Sequence, residues 1–177
     1  MRSFRTEGII IKRRDLGEAD RILTVLTRHH GKINVVSKGV SKINSRRAPH
    51  IELLNHSILN IYESRMLILT EAETISHYSS LKNDLRRASY AFYTCEILDG
   101  LIAEYQDARA VFDLTTNTLL RLENTKDPKT LISKFQQELL ISLGFWPKKH
   151  ALIQDSDQFI EDIIERKIKS RRILELI

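Results

Sequence analysis

The stretch SKGVSKINSRRAPH, Ser37 to His50, holds four cations (Lys38, Lys42, Arg46 and Arg47) and no carboxylate, with glycine and proline near its two ends. Uncompensated cations on a flexible segment suit phosphate or another anion, and equally suit a merely solvated connection. Further cations flank it: Lys12 and Arg14 beside one apolar run, Arg28 near a turn, and Lys32 at the head of another run. If Lys32 to Lys38 is a strand, alternation places Lys32, Asn34, Val36 and Lys38 on one face, opposite Ile33 and Val35. Lys12 and Arg14 share a face by the same rule. These eight cations are the expected nucleic-acid contacts, gathered on one strip.

Other chemistry is sparsely provided for. Asp15, Glu18 and Asp20 could offer oxygen ligands to a magnesium ion, but they flank Gly17 and alternate with Arg13, Arg14 and Arg21, so local charge neutralisation explains them more simply. His29 and His30 are adjacent, which turns their rings in different directions; His50, His56, His77 and His150 have no ligand spacing. There is no glycine-rich phosphate loop, G-x-S-x-G elbow or H-E-x-x-H. A non-enzymatic protein with no metal and no cofactor is expected. Cys95, the single cysteine, excludes an internal disulfide and reads as a core residue on an apolar stripe. No window approaches the ~20 apolar residues of a membrane span, so a cytoplasmic location is expected.

The 177 residues carry a net charge of +5 and are 42% hydrophobic, enough for a real core. The charge is unevenly placed: residues 1–80 hold 13 Lys+Arg against 8 Asp+Glu, and residues 81–177 hold 15 against 15. The first part reads as β-branched runs broken by turn residues: Gly8–Lys12, Arg21–Thr27, Lys32–Lys38, Ser57–Tyr62 and Met66–Glu73. Five short strands suit an OB-fold barrel, with an SH3-like barrel nearly as fitting. After Ser80 the period becomes helical: Leu85, Ala88, Phe92, Cys95, Leu98 and Ile102 predict one helix over about 81–105. A second helix is expected over 108–123. A third is capped by Asp127-Pro128, carries Ile132, Phe135, Leu139 and Leu143, and stops at Gly144. A closing helix is expected over 157–177. The expected architecture is therefore two-domain, an N-terminal five-stranded OB-fold β-barrel (1–78) followed by an all-α helical domain (79–177). Only Phe4 and Tyr62 are aromatic in residues 1–75, so nucleic-acid binding should be dominated by the backbone and indifferent to sequence.

Motifs across nearly the whole chain give a resemblance. EGIIIKRRDLGEADRILTVLTRHHGKINVVSKGVSK (Glu7–Lys42), with its G-I-I-I strand, Gly17-Glu18, Thr27, Gly31-Lys32 and Lys38-Gly39, resembles the N-terminal barrel of the bacterial recombination mediator RecO. LLISLGFWP (Leu139–Pro147) is similar to that family's L-G-[FY]-x-P element, and KSRRILEL (Lys169–Leu176) to its closing helix. The resemblance implies single- and double-stranded DNA binding, strand annealing, and help for RecA in replacing single-strand-binding protein (SSB), with RecR as partner, at the nucleoid. It makes Glu18, Gly31 and Gly39 turn positions, and maps binding of the acidic, apolar-ended SSB tail to the helical half, where Arg86, Arg87 and Arg121 could rim a groove. Many members insert a four-cysteine zinc module after L-G-[FY]-x-P; here the sequence runs almost directly into the closing helix, as in a short form lacking that module. Two other readings stay open, a protein-docking adaptor with weak nucleic-acid binding and an RNA-binding OB protein.

Overall fold

A computed structural model of the chain describes residues 2–42, 44–149 and 155–176. It divides into two compact units, Met1–His77 with Ala103–Arg109, and Tyr78–Ile102 with Ala110–Ile177. The segment 103–109, expected in the helical half, thus belongs with the strands.

Five strands, β1 (Arg2–Leu16), β2 (Asp20–Thr27), β3 (Gly31–Ser37), β4 (His56–Glu63) and β5 (Leu67–Ser76), close a barrel in the order β1-β2-β3-β5-β4. Strand β5 lies between β3 and β4, and its pairing with β3 is parallel (Val35↔Leu67, Val36↔Ile68). That Greek-key closure decides for the OB-like barrel over the SH3-like one. Strand β1 is far longer than the apolar run that announced it, because Arg2–Ile9 pairs with β4 while Gly8–Leu16 pairs with β2. A bulge between Ile10 and Lys12 lets it bend from one partner to the other. Alternate residues fill the interior: Ile10, Leu23, Val25, Ile33, Val35, Leu59, Ile61 and Leu69, closed at one end by Val40 and Ile51. Ile51 comes from a short 3-10 turn, Ala48–Ile51, between β3 and β4.

The second unit contains helices α1 (Ser79–Lys82), α2 (Leu85–Leu101), α3 (Arg109–Leu122), α4 (Pro128–Ser142), α5 (Ser156–Ile164) and α6 (Arg171–Leu174), α3 starting at the unit boundary. The single helix expected over 81–105 is two. Asp84 breaks it by capping α2, accepting from the Arg87 N–H at 2.9 Å. Leu85 and Phe92, expected on the buried stripe, are exposed, whereas Ala91, Tyr93, Thr94 and Ile97 are buried beside Ala88, Cys95 and Leu98. Helix α2 touches α4, α5 and α6, so it buries a broad surface instead of one narrow stripe. Burial pushes the Cys95 thiol up to about 12, with the charge of Asp99 adding to it, so it is not a thiolate at neutral pH. Helix α4 follows its punctuation: the Thr130 N–H donates to Asp127 at 3.1 Å, and Gly144 takes φ +81° after its end.

The closing helix is broken. Glu165 turns left-handed (φ 55°) after α5, and two carboxylates gather the chain that follows. Glu161, buried, accepts from the Ile168 N–H at 2.9 Å and Lys167 Nζ at 2.7 Å. Glu96 accepts from the Lys169 and Ser170 N–H groups at 2.9 and 2.8 Å. These bonds satisfy backbone donors that a continuous helix would have satisfied itself. Residues 150–154, with His150, and Ile177 at the end of the expected helix lie outside the described residues.

Candidate nucleic-acid interface

The basic loop leaves β3 at Ser37 and is held at three points. The Gly39 N–H donates to Asp20 Oδ1 at 2.7 Å, the Ser41 N–H to the Ala19 carbonyl at 3.0 Å, and the Arg47 guanidinium to the Lys38 and Leu69 carbonyls at 2.5 and 2.6 Å. Gly39 adopts φ +66°, a left-handed turn that glycine enters without strain. Arg47 is therefore a clasp that sets the loop's shape, giving two of its five N–H donors to backbone oxygens. Lys38, Lys42 and Arg46 remain exposed, and among the described residues no carboxylate pairs with them. Lys38, Arg46 and Arg47 line two open hollows. One, of about 780 Å³, adds Arg5, His50 and Asn60 together with Glu71 and Glu73; the other, of about 590 Å³, adds Lys42, Asn44 and Asp20.

The other expected contacts divide. Lys12 and Arg14 are exposed and point outward, opposite Thr24 and Ile22 of β2. Arg28 stands at the far end of β3 from the loop, roughly 20 Å away at strand spacing, and pairs with Glu7 Oε2 at 2.9 Å. The other oxygen of Glu7 meets His56 Nε2 at 2.7 Å. Burial pushes the Glu7 carboxyl up, but its hydrogen bonds and charge contacts with Arg28 and His56 outweigh that and hold it below the ordinary value. Lys32 is only 8% exposed, beneath a strap in which Glu104 bridges to it and the Tyr105 N–H donates to its carbonyl at 2.9 Å. The single strip expected from alternation is thus corrected: the loop cations converge, Lys12 and Arg14 lie on the neighbouring sheet face, Lys32 is covered, and Arg28 is distant and neutralised.

Arg5 is a cation that sequence reasoning passed over. It sits opposite Asn60 on β1 and faces the same hollow as Lys38. The polar RSFRTE stretch gave no strand signal, so its alternation was not legible. On the barrel strands neither aromatic offers an open stacking platform, since Phe4 is half-buried with its centroid 4.3 Å from that of His30 and Tyr62 is half-buried; Tyr105 of the strap is the exposed ring of this unit.

The acids of the β1–β2 turn shape the fold. Asp15 pairs with Arg21 at 3.2 Å and Asp20 holds the loop at Gly39. His29 Nδ1 faces the Arg109 guanidinium at 3.2 Å, while His30 turns to Phe4. Arg86, Arg87 and Arg121 do not share one groove. Arg86 lines a hollow of about 530 Å³ with Lys129, Arg171 and Ile132, and Arg121 lines another of about 360 Å³ between α3 and α4. Arg87 is a tie, donating to the Glu123 and Thr125 carbonyls at 2.7 and 3.3 Å.

A closed OB-like barrel with a basic loop, in one chain with a helical unit, defines the class. Residues 1–78 match the family model described as "Recombination protein O N terminal" and residues 82–151 the one described as "Recombination protein O C terminal". The chain belongs to the RecO family of DNA repair proteins. It is 36% identical over 148 residues to DNA repair protein RecO of Roseiflexus sp. (strain RS-1), covering 83% of this chain and 52% of that protein. It is 34% identical over 155 residues to the protein of that name from Symbiobacterium thermophilum, covering 86% and 61%. The chain thus spans about half to three fifths of the length of these relatives. No helix among the described residues is long and apolar enough to cross a membrane.

Proposed function

We propose that this chain is a non-enzymatic recombination mediator that holds single- and double-stranded DNA through the sugar-phosphate backbone on the Lys38–Arg47 loop and its neighbours Arg5, Lys12 and Arg14. The observation that carries this reading is the exposed trio Lys38, Lys42 and Arg46, which has no carboxylate partner among the described residues. Cations that grip phosphates, with few rings to hold bases, leave base edges free to pair, which favours annealing of complementary strands. Family membership supports a place in recombinational repair at the nucleoid, helping RecA replace SSB with RecR as partner. In the helical unit, the hollow lined by Arg86, Lys129 and Ile132 also carries Asp155, Asp157 and Glu175, which hold Arg171, so Arg86 and Lys129 are the cations with which it would take an acidic, apolar-ended peptide such as the SSB tail.

The test is fluorescence anisotropy against single-stranded DNA, duplex DNA and RNA across a salt series. About five engaged cations give a log-log slope of roughly 3 to 4 on a single strand, and the triple variant Lys38→Ala, Lys42→Ala, Arg46→Ala lowers it by about 2. Equal binding by variant and parent sinks the loop and leaves a protein-docking adaptor, for which titration with an SSB tail peptide and RecR is decisive. Preference for RNA moves the chain to RNA handling.

A further inference from the structure

The strap 103–109 carries an acid onto the outer face of the barrel. Its backbone is fixed there: the Tyr105 N–H donates to the Lys32 carbonyl at 2.9 Å, and a Cβ added to Gly31 would lie 2.0 Å from the Gln106 carbonyl oxygen. The Glu104 side chain is exposed and accepts a hydrogen bond from Asn34 Nδ2. Thr24 fixes which way that amide faces, because its hydroxyl donates to Asn34 Oδ1 at 2.8 Å and leaves the NH₂ group turned toward the carboxylate. Lys12 is opposite Thr24, and Thr24 opposite Asn34, so the three form one outward row across β1, β2 and β3. Lys32 precedes Asn34 by two positions on the same face of β3. At ordinary strand spacings both lysine Cα atoms lie within roughly 10 Å of that of Asn34; Lys12 is the exposed one, whereas Lys32 lies under the strap and adds its charge from the edge.

We propose that Lys12 and Asn34 form a phosphate subsite on the barrel, with Lys32 at its covered edge, and that the Glu104 carboxylate holds the phosphate's place in the free chain. A carboxylate and a phosphate present the same sign of charge and the same acceptor chemistry to an amide donor flanked by lysines. DNA entering the subsite displaces only the Glu104 side chain, since the strap's anchors are backbone contacts. Glu104 thereby sets how tightly the barrel holds DNA at rest. This inference rests on the DNA-binding reading above.

The experiment compares the full-length chain with Glu104→Gln, Glu104→Asp and the double variant Glu104→Gln, Lys12→Ala, using a fluorescein-labelled oligothymidine and a salt series. Glu104→Gln is expected to bind about two- to fivefold tighter, the size of one exposed charge pair, with a slope steeper by roughly 0.7. Adding Lys12→Ala cancels the gain. Glu104→Asp keeps the charge but draws it back from Asn34 and should fall between parent and Glu104→Gln, which also covers the case where the latter folds poorly. Parent-like affinity in both single variants, while the loop triple variant still loses binding, overturns this inference and spares the DNA-binding reading. A gain that survives Lys12→Ala overturns the subsite. Absence of binding by every form at low salt overturns both.

Discussion

In the helical unit Glu96, 16% exposed, accepts from Arg166, from two backbone N–H groups and from the Ser170 hydroxyl, and Arg171 is shared among Asp155, Asp157 and Glu175. In the barrel Lys38, Lys42 and Arg46 stand on a loop where Asp20 is occupied by the Gly39 N–H and Glu71 by the Asn60 amide, and among the described residues no carboxylate, Glu73 included, pairs with them. Both halves are rich in cations, 13 in residues 1–80 and 15 in residues 81–177. The difference is what surrounds them. Where carboxylates pair with the cations, charge closes turns and ties elements together; where the neighbouring acids are held by other donors, charge is left facing solvent and available to a polyanion. Arg28 and Arg87 make the same point within each half, since one is neutralised by Glu7 and the other is bound to backbone carbonyls.

The most damaging single change should be Gly31→Ala. It forces a left-handed φ of +66° on alanine and drives Cβ into Gln106, for an expected loss of about 2–4 kcal/mol in urea unfolding. Unchanged stability would mean that the strap is no fixed part of the barrel. Glu96→Ala comes next, at about 1–3 kcal/mol, because it leaves the Lys169 and Ser170 N–H groups without their acceptor. Its acid limb sharpens the contrast. Burial pushes the Glu96 carboxyl up, and the bonds from Ser170, Lys169 and Arg166 outweigh this to hold it below 4.5. A depressed carboxyl contributes stability above its unfolded value and loses it as pH falls through the folded one, so Glu96→Gln should flatten the decline below about pH 4.5 in acid unfolding curves. A Glu96→Gln curve as steep as the parent's would show that the charge does no organising there.

Arg47→Ala should cost about 1–2 kcal/mol, through two lost charge-assisted bonds to carbonyls. Amide hydrogen exchange should quicken around residues 38–47; protection equal to the parent's would deny Arg47 its part as a clasp. The smallest effects should follow Arg28→Ala and Arg121→Ala, each shifting single-strand affinity by less than about twofold. A larger loss at either in the anisotropy titration would break the claim that DNA is held on the loop side of the barrel and not at these two positions.

Much of this was legible from local pattern. The β-branched runs located five strands, and Asp127, Pro128 and Gly144 bounded α4, because capping and turn residues act on their immediate neighbours. The misreadings each have a tertiary cause. Leu85 and Phe92 fit the α2 period yet are exposed, since burial there follows the helices that α2 meets. The closing helix was read as continuous because Glu96, whose carboxylate gathers Lys169 and Ser170, lies far away in sequence. Arg5 was missed because RSFRTE becomes strand only by pairing with β4.

Sequence alone determined that an apolar, β-branched first part would close into a sheet, that helices would follow, and that the excess of positive charge would sit with the strands; these depend on residue type and short-range spacing. Only the tertiary structure decided which cations are open to a ligand. A charge is free or spent according to what stands within a few ångströms of it, and Glu7 beside Arg28, or Glu104 over Asn34, is brought there by the fold across tens of residues.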